Sequence, residues 1–243
     1  MKVGILGDVH GNSAALLSVL DRIKIEGIKK LFITGDLVGY YYSPKEVIDL
    51  LSVWDCTFVK GNHEEMLQRC INDSSFLKKV SKKYGSGIEI ALNTLSKEQI
   101  DFLCALPLST SVTLNSTSFL ICHGSPSSAY DYLYPDAREE EVSKFIDIDE
   151  DILVHGHTHY PAIFNLNNKT IINPGSVGQT RNGIPGAYWG YYDLSNHTFT
   201  QKVESYDCRN LLSEIKKINP NLSYLSKILT RVSKRQTNEF KKF

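Results

Sequence analysis

The sequence predicts an α/β domain, and three observations carry that expectation. Over residues 2–70, short apolar runs rich in β-branched residues alternate with stretches of helical period, the pattern of repeated β-then-α units. Each of those apolar runs ends in a polar, glycine-containing cluster. A length of 243 residues with 42% hydrophobic residues is enough to bury one sizeable core.

Residues 2–7 (KVGILG) read as a strand covered on both faces. The run ends in Asp8-Val9-His10-Gly11-Asn12, where an Asp and a His two apart can bind one metal through unlike donors. Gly11 permits the turn, and Asn12 is placed to cap the next helix, residues 13–27, whose Leu16, Leu17, Leu20, Ile23 and Ile28 fall near helical spacing. The unit repeats with residues 30–34 (KLFIT), which end in Gly35-Asp36-Leu37-Val38-Gly39. After a Tyr-rich loop, a helix over 43–53 carries Pro44 in its first turn. A third strand over 56–60 ends in Gly61-Asn62-His63-Glu64, and a helix follows from about residue 64. Three successive strands thus deliver polar side chains at their carboxyl ends, where α/β sheets place ligand sites.

Residues 74–105 read as mainly helical, with Ser96-Lys97-Glu98-Gln99 as a helix start and Pro107 as a stop. Residues 108–114 and 118–122 read as a strand pair that exits through His123-Gly124-Ser125-Pro126. After an acidic helix over 138–145, the apolar run 152–154 leaves as His155-Gly156-His157-Thr158-His159. Residues 162–166, 170–173, 187–194 and 198–205 read as short strands between Asn and Gly turns. Residues 173–179 (NPGSVGQ) form a rigid polar turn, either beside a site or purely structural, and the last thirty residues read as helical.

Bulk properties exclude several classes. No apolar run approaches the roughly 18 residues of a membrane span, and the first apolar stretch is too short for a signal peptide, so the expected compartment is the cytoplasm. Five cysteines without a C-x-x-C pair point to reduced thiols rather than a disulfide frame. The net charge is zero, yet from residue 207 onward nine basic residues face three acidic ones, +6 against −6 for the remainder. A solvated helix face explains that tail more simply than an anionic partner does.

Six of the seven histidines occupy the strand-end clusters, and His197 alone does not. Asp8, His10, Asp36, Asn62, His123, His157 and His159 supply seven donors without a thiolate, enough for two metals with Asp36 between them. Two cations about 3.5–4 Å apart can grip a phosphate, lower the pKa of a shared water to about 7 and stabilise in-line displacement. His155 reads as a hydrogen-bonded core histidine.

These motifs resemble the calcineurin-like metallophosphoesterases. The resemblance rests on D-x-H (Asp8, His10), G-D (Gly35, Asp36), G-N-H-E (Gly61 to Glu64), His123-Gly124 and G-H-x-H (Gly156 to His159), in the family's order over residues 1–195. It implies a four-layer sandwich, two mixed β-sheets flanked by α-helices, spanning 1–206, with 207–243 as a basic helical tail packed on it or extending from it. It also implies that Asp8, His10, Asp36 and His159 bind one metal, and Asp36, Asn62, His123 and His157 a second. Asp36 and His63 would be catalytic, His63 by stabilising the phosphate's developing charge or protonating the leaving oxygen. The implied cofactors are two divalent metal ions, Mn²⁺ first, then Fe, Ni or Zn, and the implied reaction is hydrolysis by a metal-bridging hydroxide.

Two departures narrow the subgroup. Where serine/threonine phosphatases of the superfamily carry V-D-R-G after G-D and an arginine before G-N-H-E, this chain has Leu37-Val38-Gly39-Tyr40 and Lys60. Where purple acid phosphatases place a tyrosine ligand, it has Gly39. G-D-x-V-G-Y with N-P-G-S-V-G is similar instead to the small YfcE-like phosphodiesterases, although Tyr41-Tyr42-Ser43-Pro44 replaces that group's usual G-P-x-P. The expected function is therefore a phosphodiesterase acting on a phosphate ester, with nucleotides and nucleic acid among the candidates. Asn12, Tyr40 and Arg181 are the expected substrate contacts. Tyr40, Tyr41 and Tyr42 either stack on a nucleobase or form a half-buried rim, and Lys60 and Arg181 either hold an ester oxygen or are surface charges. The alternatives are a phosphomonoesterase or protein phosphatase, a dinucleoside polyphosphate hydrolase, and a non-catalytic interaction protein on the same fold. The intact donor set argues against the last.

Overall fold

The computed structural model describes residues 1–231. The first sheet grows outward from β1 (Lys2–Leu6), which pairs in parallel with β2 (Lys30–Ile33), itself parallel to β3 (Asp55–Phe58). The helices between these strands are α1 (Ser13–Ile25) and α2 (Pro44–Leu51). Then comes α3 (Asn62–Cys70), followed by three helices in the 74–105 stretch that reads as helical from sequence, α4 (Ser74–Tyr84), α5 (Gly87–Thr94) and α6 (Lys97–Ala105). The acidic segment forms only a short helix, α7 (Glu139–Ser143).

The second sheet contains β4 (Ser109–Leu114), β5 (Thr117–Cys122), β6 (Ile152–Val154), β7 (Pro161–Leu166) and β8 (Lys169–Pro174), in the order β4-β5-β6-β8-β7. The chain then returns to the first sheet as β9 (Ala187–Asp193), antiparallel to β1, and β10 (Thr198–Glu204), giving the order β10-β9-β1-β2-β3. Both sheets are mixed and five-stranded. Asn115-Ser116 and Asn167-Asn168 have positive φ at both positions, which matches the right-handed twist of the hairpins they close.

Side-chain alternation sorts the core into layers. Val3, Ile5 and Phe32 face Phe119, Ile121, Ile152, Val154 and Ile172 between the sheets, and the Phe32 and Phe119 rings meet edge-on at 5.3 Å. Leu6, Leu31 and Ile33 point the other way, into the helices, where Leu16, Val19, Leu20 and Ile23 of α1 are buried. Leu17, expected on that face, is 48% exposed and turns to solvent because it lies one residue past the buried stripe. The outer face of the second sheet is covered by Leu133, Val142 and Phe145 over Leu120, Leu153 and Ile171.

The C-terminal helices α8 (Arg209–Ile218) and α9 (Ser223–Thr230) pack Leu211, Ile215, Leu225 and Leu229 on Tyr40 and Tyr41. The expected helical tail is thus docked on the loop after β2 as far as the structure describes it, and residues 232–243 lie outside the described residues. All five cysteines are free thiols. Among the described residues, no helix is long and apolar enough to cross a membrane.

Candidate metal centre

The strand ends of both sheets meet at one buried point. β1 delivers Asp8 and His10, β2 delivers Asp36, and the first turn of α3 after β3 delivers Asn62 and His63. From the second sheet, β5 delivers His123 and β6 delivers His157 and His159. None of these side chains is more than 6% exposed. Asp8, His10, Asp36, His157 and His159 all hold φ between 51° and 66°, a left-handed conformation that β-propensity would never select and that a packed surrounding must impose.

The donor atoms fall into two overlapping groups. Asp8, His10, Asp36 and His159 form one, and Asp36, His123 and His157 form the other, so Asp36 is common to both. His10 Nε2 lies 3.1 Å from His159 Nε2, and His159 Nε2 lies 3.3 Å from Asp8 Oδ1. In the second group, His123 Nε2 is 3.2 Å from His157 Nδ1 and 3.0 Å from Asn62 Oδ1, which adds the amide to that cluster. Asp36 Oδ2 is 3.5 Å from His10 Nε2 and 3.4 Å from His123 Nε2. A cation with bonds of about 2.1 Å to neighbouring donors at right angles sets those donors about 3.0 Å apart. Facing imidazole nitrogens at 3.1–3.2 Å repel unless a proton or cation lies between them, so the residues fit a metal.

Backbone carbonyls set the tautomers. His10 Nδ1 faces Val38 O at 3.2 Å, His123 Nδ1 faces Thr34 O at 2.6 Å, and His159 Nδ1 faces Gln179 O at 2.6 Å. A carbonyl only accepts, so each Nδ1 carries a proton and each Nε2 is the nitrogen turned toward the centre. His157 presents Nδ1 instead, and its Nε2 has no hydrogen-bond partner among the described residues.

Charge is balanced inside the cluster. Burial opposes ionisation of Asp8, yet His159 and His123 hold its carboxyl down to about 2. Burial likewise opposes ionisation of Asp36, but His123 and His63 keep it well below the usual carboxylate range. Burial lowers His63 to about 4 and, with His123 beside it, lowers His157 to about 3, so both are neutral at pH 7. Burial works to lower His123 too, but Asp36 and Asp8 overrule it and raise this imidazole to about 10. In the metal-free chain His123 therefore holds a proton where a cation would bring positive charge.

Several supporting residues have no signal in the sequence beyond their motif position. Glu64, fully buried, accepts from the backbone N–H groups of Asp36, Leu37 and Gly61, at 2.8 Å each, and shapes the loop that carries Asp36. A Cβ on Gly61 would stand 2.1 Å from Asp36 Oδ1, and one on Gly39 would stand 1.9 Å from His63 Nδ1. Gly39, the position of the tyrosine ligand in purple acid phosphatases, is thus filled by the His63 ring. The 173–179 turn is a clamp beside the site: Ser176 Oγ donates to Asp8 O at 2.7 Å, and Asn173 Nδ2 donates to Gly156 O at 2.8 Å.

The expected substrate contacts divide. Tyr40 and Arg181 reach the centre together: Arg181 Nη2 donates to Tyr40 Oη at 3.2 Å, and the Tyr40 ring lies 4.8 Å from the His63 ring. Asn12 does not join them. Its Oδ1 accepts from Ala15 N at 3.2 Å as a helix cap, and its Nδ2 donates to Gly178 O and Tyr206 Oη at 3.0 Å each. Tyr41 and Tyr42 turn under the C-terminal helices, with Tyr41 Oη donating to Leu225 O at 3.1 Å and Tyr42 Oη to Asn219 Oδ1 at 2.8 Å. Lys60 Nζ is spent on Cys104 O at 2.6 Å. His155 is buried as expected, but neither ring nitrogen has a hydrogen-bond partner among the described residues.

The profile of the calcineurin-like phosphoesterase superfamily domain matches residues 1–196. The chain belongs to that superfamily. An uncharacterized protein of Methanocaldococcus jannaschii is 30% identical over 237 residues, covering 88% of this chain and 92% of its own. A hypothetical protein of Pyrococcus horikoshii OT3 has the same fold, with a TM-score of 0.83 and 20% identity over 96% of this chain and 98% of its own. A metallophosphoesterase from Sphaerobacter thermophilus superposes with a TM-score of 0.77 and 24% identity over 95% of this chain and 99% of its own. The matched residues include every donor named above and every strand of the two sheets except β10.

Proposed function

We propose that this protein is a dinuclear metal-dependent phosphodiesterase. The observation that carries the reading is the convergence of two donor groups on Asp36, with ligand-to-ligand spacings that suit two cations sharing one carboxylate. Asp8, His10, Asp36 and His159 would hold the first ion, and Asp36, Asn62, His123 and His157 the second. Mn²⁺ is the proposed metal, since carboxylate, amide and imidazole donors without thiolate suit it, as they suit Fe, Ni and Zn. Two such cations supply Lewis acidity, neutralising phosphate charge and activating water for in-line attack.

The chain's own groups supply the rest. His63, neutral and fixed by His63 N donating to Asp36 Oδ1 at 2.8 Å, would donate a hydrogen bond to the phosphate as charge builds on it. Its ring is wedged between Tyr40 and Tyr84, at 4.8 and 5.3 Å, and so stays oriented without a partner for Nδ1. Arg181, steadied by Tyr40, is placed to hold one non-bridging oxygen.

A diester is favoured over a monoester on charge. A monoester dianion calls for a clamp of several cations; among the described residues Arg181 is the guanidinium beside Tyr40 and His63, while Lys60 is turned onto Cys104 O and Arg231 donates to Arg181 O at 3.3 Å. The test is to load the protein with Mn²⁺ and compare kcat/KM on bis(p-nitrophenyl) phosphate and p-nitrophenyl phosphate. A diester preference of at least about tenfold is expected. The reverse ratio would make it a monoesterase, and no turnover of either, with metal bound, would leave a binding protein on this fold.

A further inference from the structure

The loop that follows His123 carries three exposed tyrosines, Tyr130, Tyr132 and Tyr134, at 47%, 51% and 43% exposure. Large aromatic side chains left open to water in one short segment mark a binding surface more often than chance does. Residues 131–134 have no regular secondary structure, and Leu133 between the two later tyrosines is 1% exposed, anchored with Leu120, Leu153 and Ile171. Leu133 is turned inward, and the tyrosines on either side of it stay open to solvent. Ser125 Oγ donates to Asp131 Oδ2 at 2.6 Å and braces the start of the segment.

The two rings are parallel to within 5°, with centroids 5.5 Å apart, an offset stack. Tyr132 in turn lies on the His157 imidazole, centroid to centroid 4.1 Å. A row of rings therefore runs outward from the candidate metal centre, with Tyr132 tilted by 36° against His157 and the 43% exposed Tyr134 stacked on Tyr132 at the outer end. On the opposite side Tyr40 is only 6% exposed and Tyr41 is fully buried, whereas Tyr132 and Tyr134 are open to solvent.

We propose that Tyr132 and Tyr134 form a stacking shelf beside His157 that takes a nucleobase, so that the substrate class is a nucleoside phosphate ester. The proposal rests on the phosphoesterase reading and names its substrate. A planar base on the shelf is one ribose away from its phosphate, and the row starts at a residue of the candidate metal centre. Stacking of this kind accepts any base, because each has a π face, so the shelf selects for a base without selecting which one.

The test uses Mn²⁺-loaded full-length protein and two probes, adenosine 5′-monophosphate and ribose 5-phosphate, titrated calorimetrically. Wild type is expected to bind the base-bearing probe at least about tenfold more tightly. Tyr134→Ala, which touches none of the proposed metal ligands, is expected to bring the two affinities within about twofold, and Tyr134→Phe to keep the gap. Tyr132→Ala, with metal content measured alongside, is expected to act like Tyr134→Ala. Equal affinity in wild type, a gap that survives both alanine variants, or binding of neither probe would overturn the shelf. Failure of the phosphoesterase reading looks different: no ester is hydrolysed, while the preference for the base-bearing probe and its loss in Tyr134→Ala persist.

Discussion

The candidate centre has a floor and a wall, and they are built by opposite means. Asp8, His10, Asp36, Asn62, His123, His157 and His159 form the floor, each within a few residues of a strand end. The wall is assembled from the loop after β2, Tyr84 at the end of α4, the post-His123 loop and the two C-terminal helices. Five of the seven floor residues sit in left-handed conformations, with Asp36 at φ 54° and His159 at 63°. Asn115 and Asn167 hold similar angles in hairpin turns, where the turn type itself calls for them. No turn calls for them at Asp36 or His159; the packed strand ends and their hydrogen bonds hold the backbone there, the pattern of a site whose strain serves a purpose. Tyr40 in the wall shares that conformation, at φ 55°, but the wall is held by packed rings and aliphatic side chains rather than by donor groups.

That contrast predicts graded effects. The largest is expected at the shared carboxylate: Asp36→Asn should remove most of the metal and lower kcat by more than about 10³-fold, read by elemental analysis and steady-state rates. Retention of both ions and of activity would break the distinction between floor and wall at its centre. His63→Ala should lower kcat by about 10²–10³-fold while metal content stays at the wild-type level, and loss of metal instead would make His63 part of the ligand set.

An intermediate effect concerns protons. Although burial alone would lower it, His123 is raised to about 10 by Asp36 and Asp8 in the metal-free chain, so metal uptake at pH 7 must expel its proton. Apparent Mn²⁺ affinity should therefore rise about tenfold per pH unit from 7 to 9, where an ordinary histidine would give no dependence. Because the folded-state value lies above the unfolded one, this group's contribution to metal-free stability is complete below about 6.5 and is lost as pH rises through about 10. Thermal unfolding of the metal-free protein across that window checks the sign.

The smallest catalytic effect is expected at the wall. Leu225→Ala, at a fully buried position of α9 over Tyr40 and Tyr41, should cost about 2–5 kcal/mol of stability yet leave metal content unchanged and move kcat/KM by less than about tenfold. Denaturant unfolding and rates measured on the same preparation separate the two quantities. A collapse of metal binding in that variant would show that the wall supports the floor after all.

Legibility followed the same division. The three β-then-α units, the hairpin strands and the donor set were readable because each depends on a short stretch: a strand end, a glycine and one or two polar residues. Sequence placed Asn12 beside substrate, but its side chain caps α1 and ties it to Gly178 and Tyr206, a partner 194 residues away. Tyr41 and Tyr42 looked available for stacking and are sealed by helices 170 or more residues downstream in the chain. Tyr132 and Tyr134 were passed over although Tyr130-Asp131-Tyr132-Leu133-Tyr134 alternates visibly. The alternation acquires meaning only once Leu133 is seen to be buried.

From the amino-acid order alone came the family, the layered α/β plan and the side chains able to hold metal, because donor chemistry and strand periodicity are properties of neighbouring residues. The tertiary structure decided which ring nitrogen faces the centre, which tyrosines stay open and where the C-terminal helices dock. Those features arise from packing between segments far apart in the chain, and burial there is set by what the partner surface covers rather than by the residue's own type.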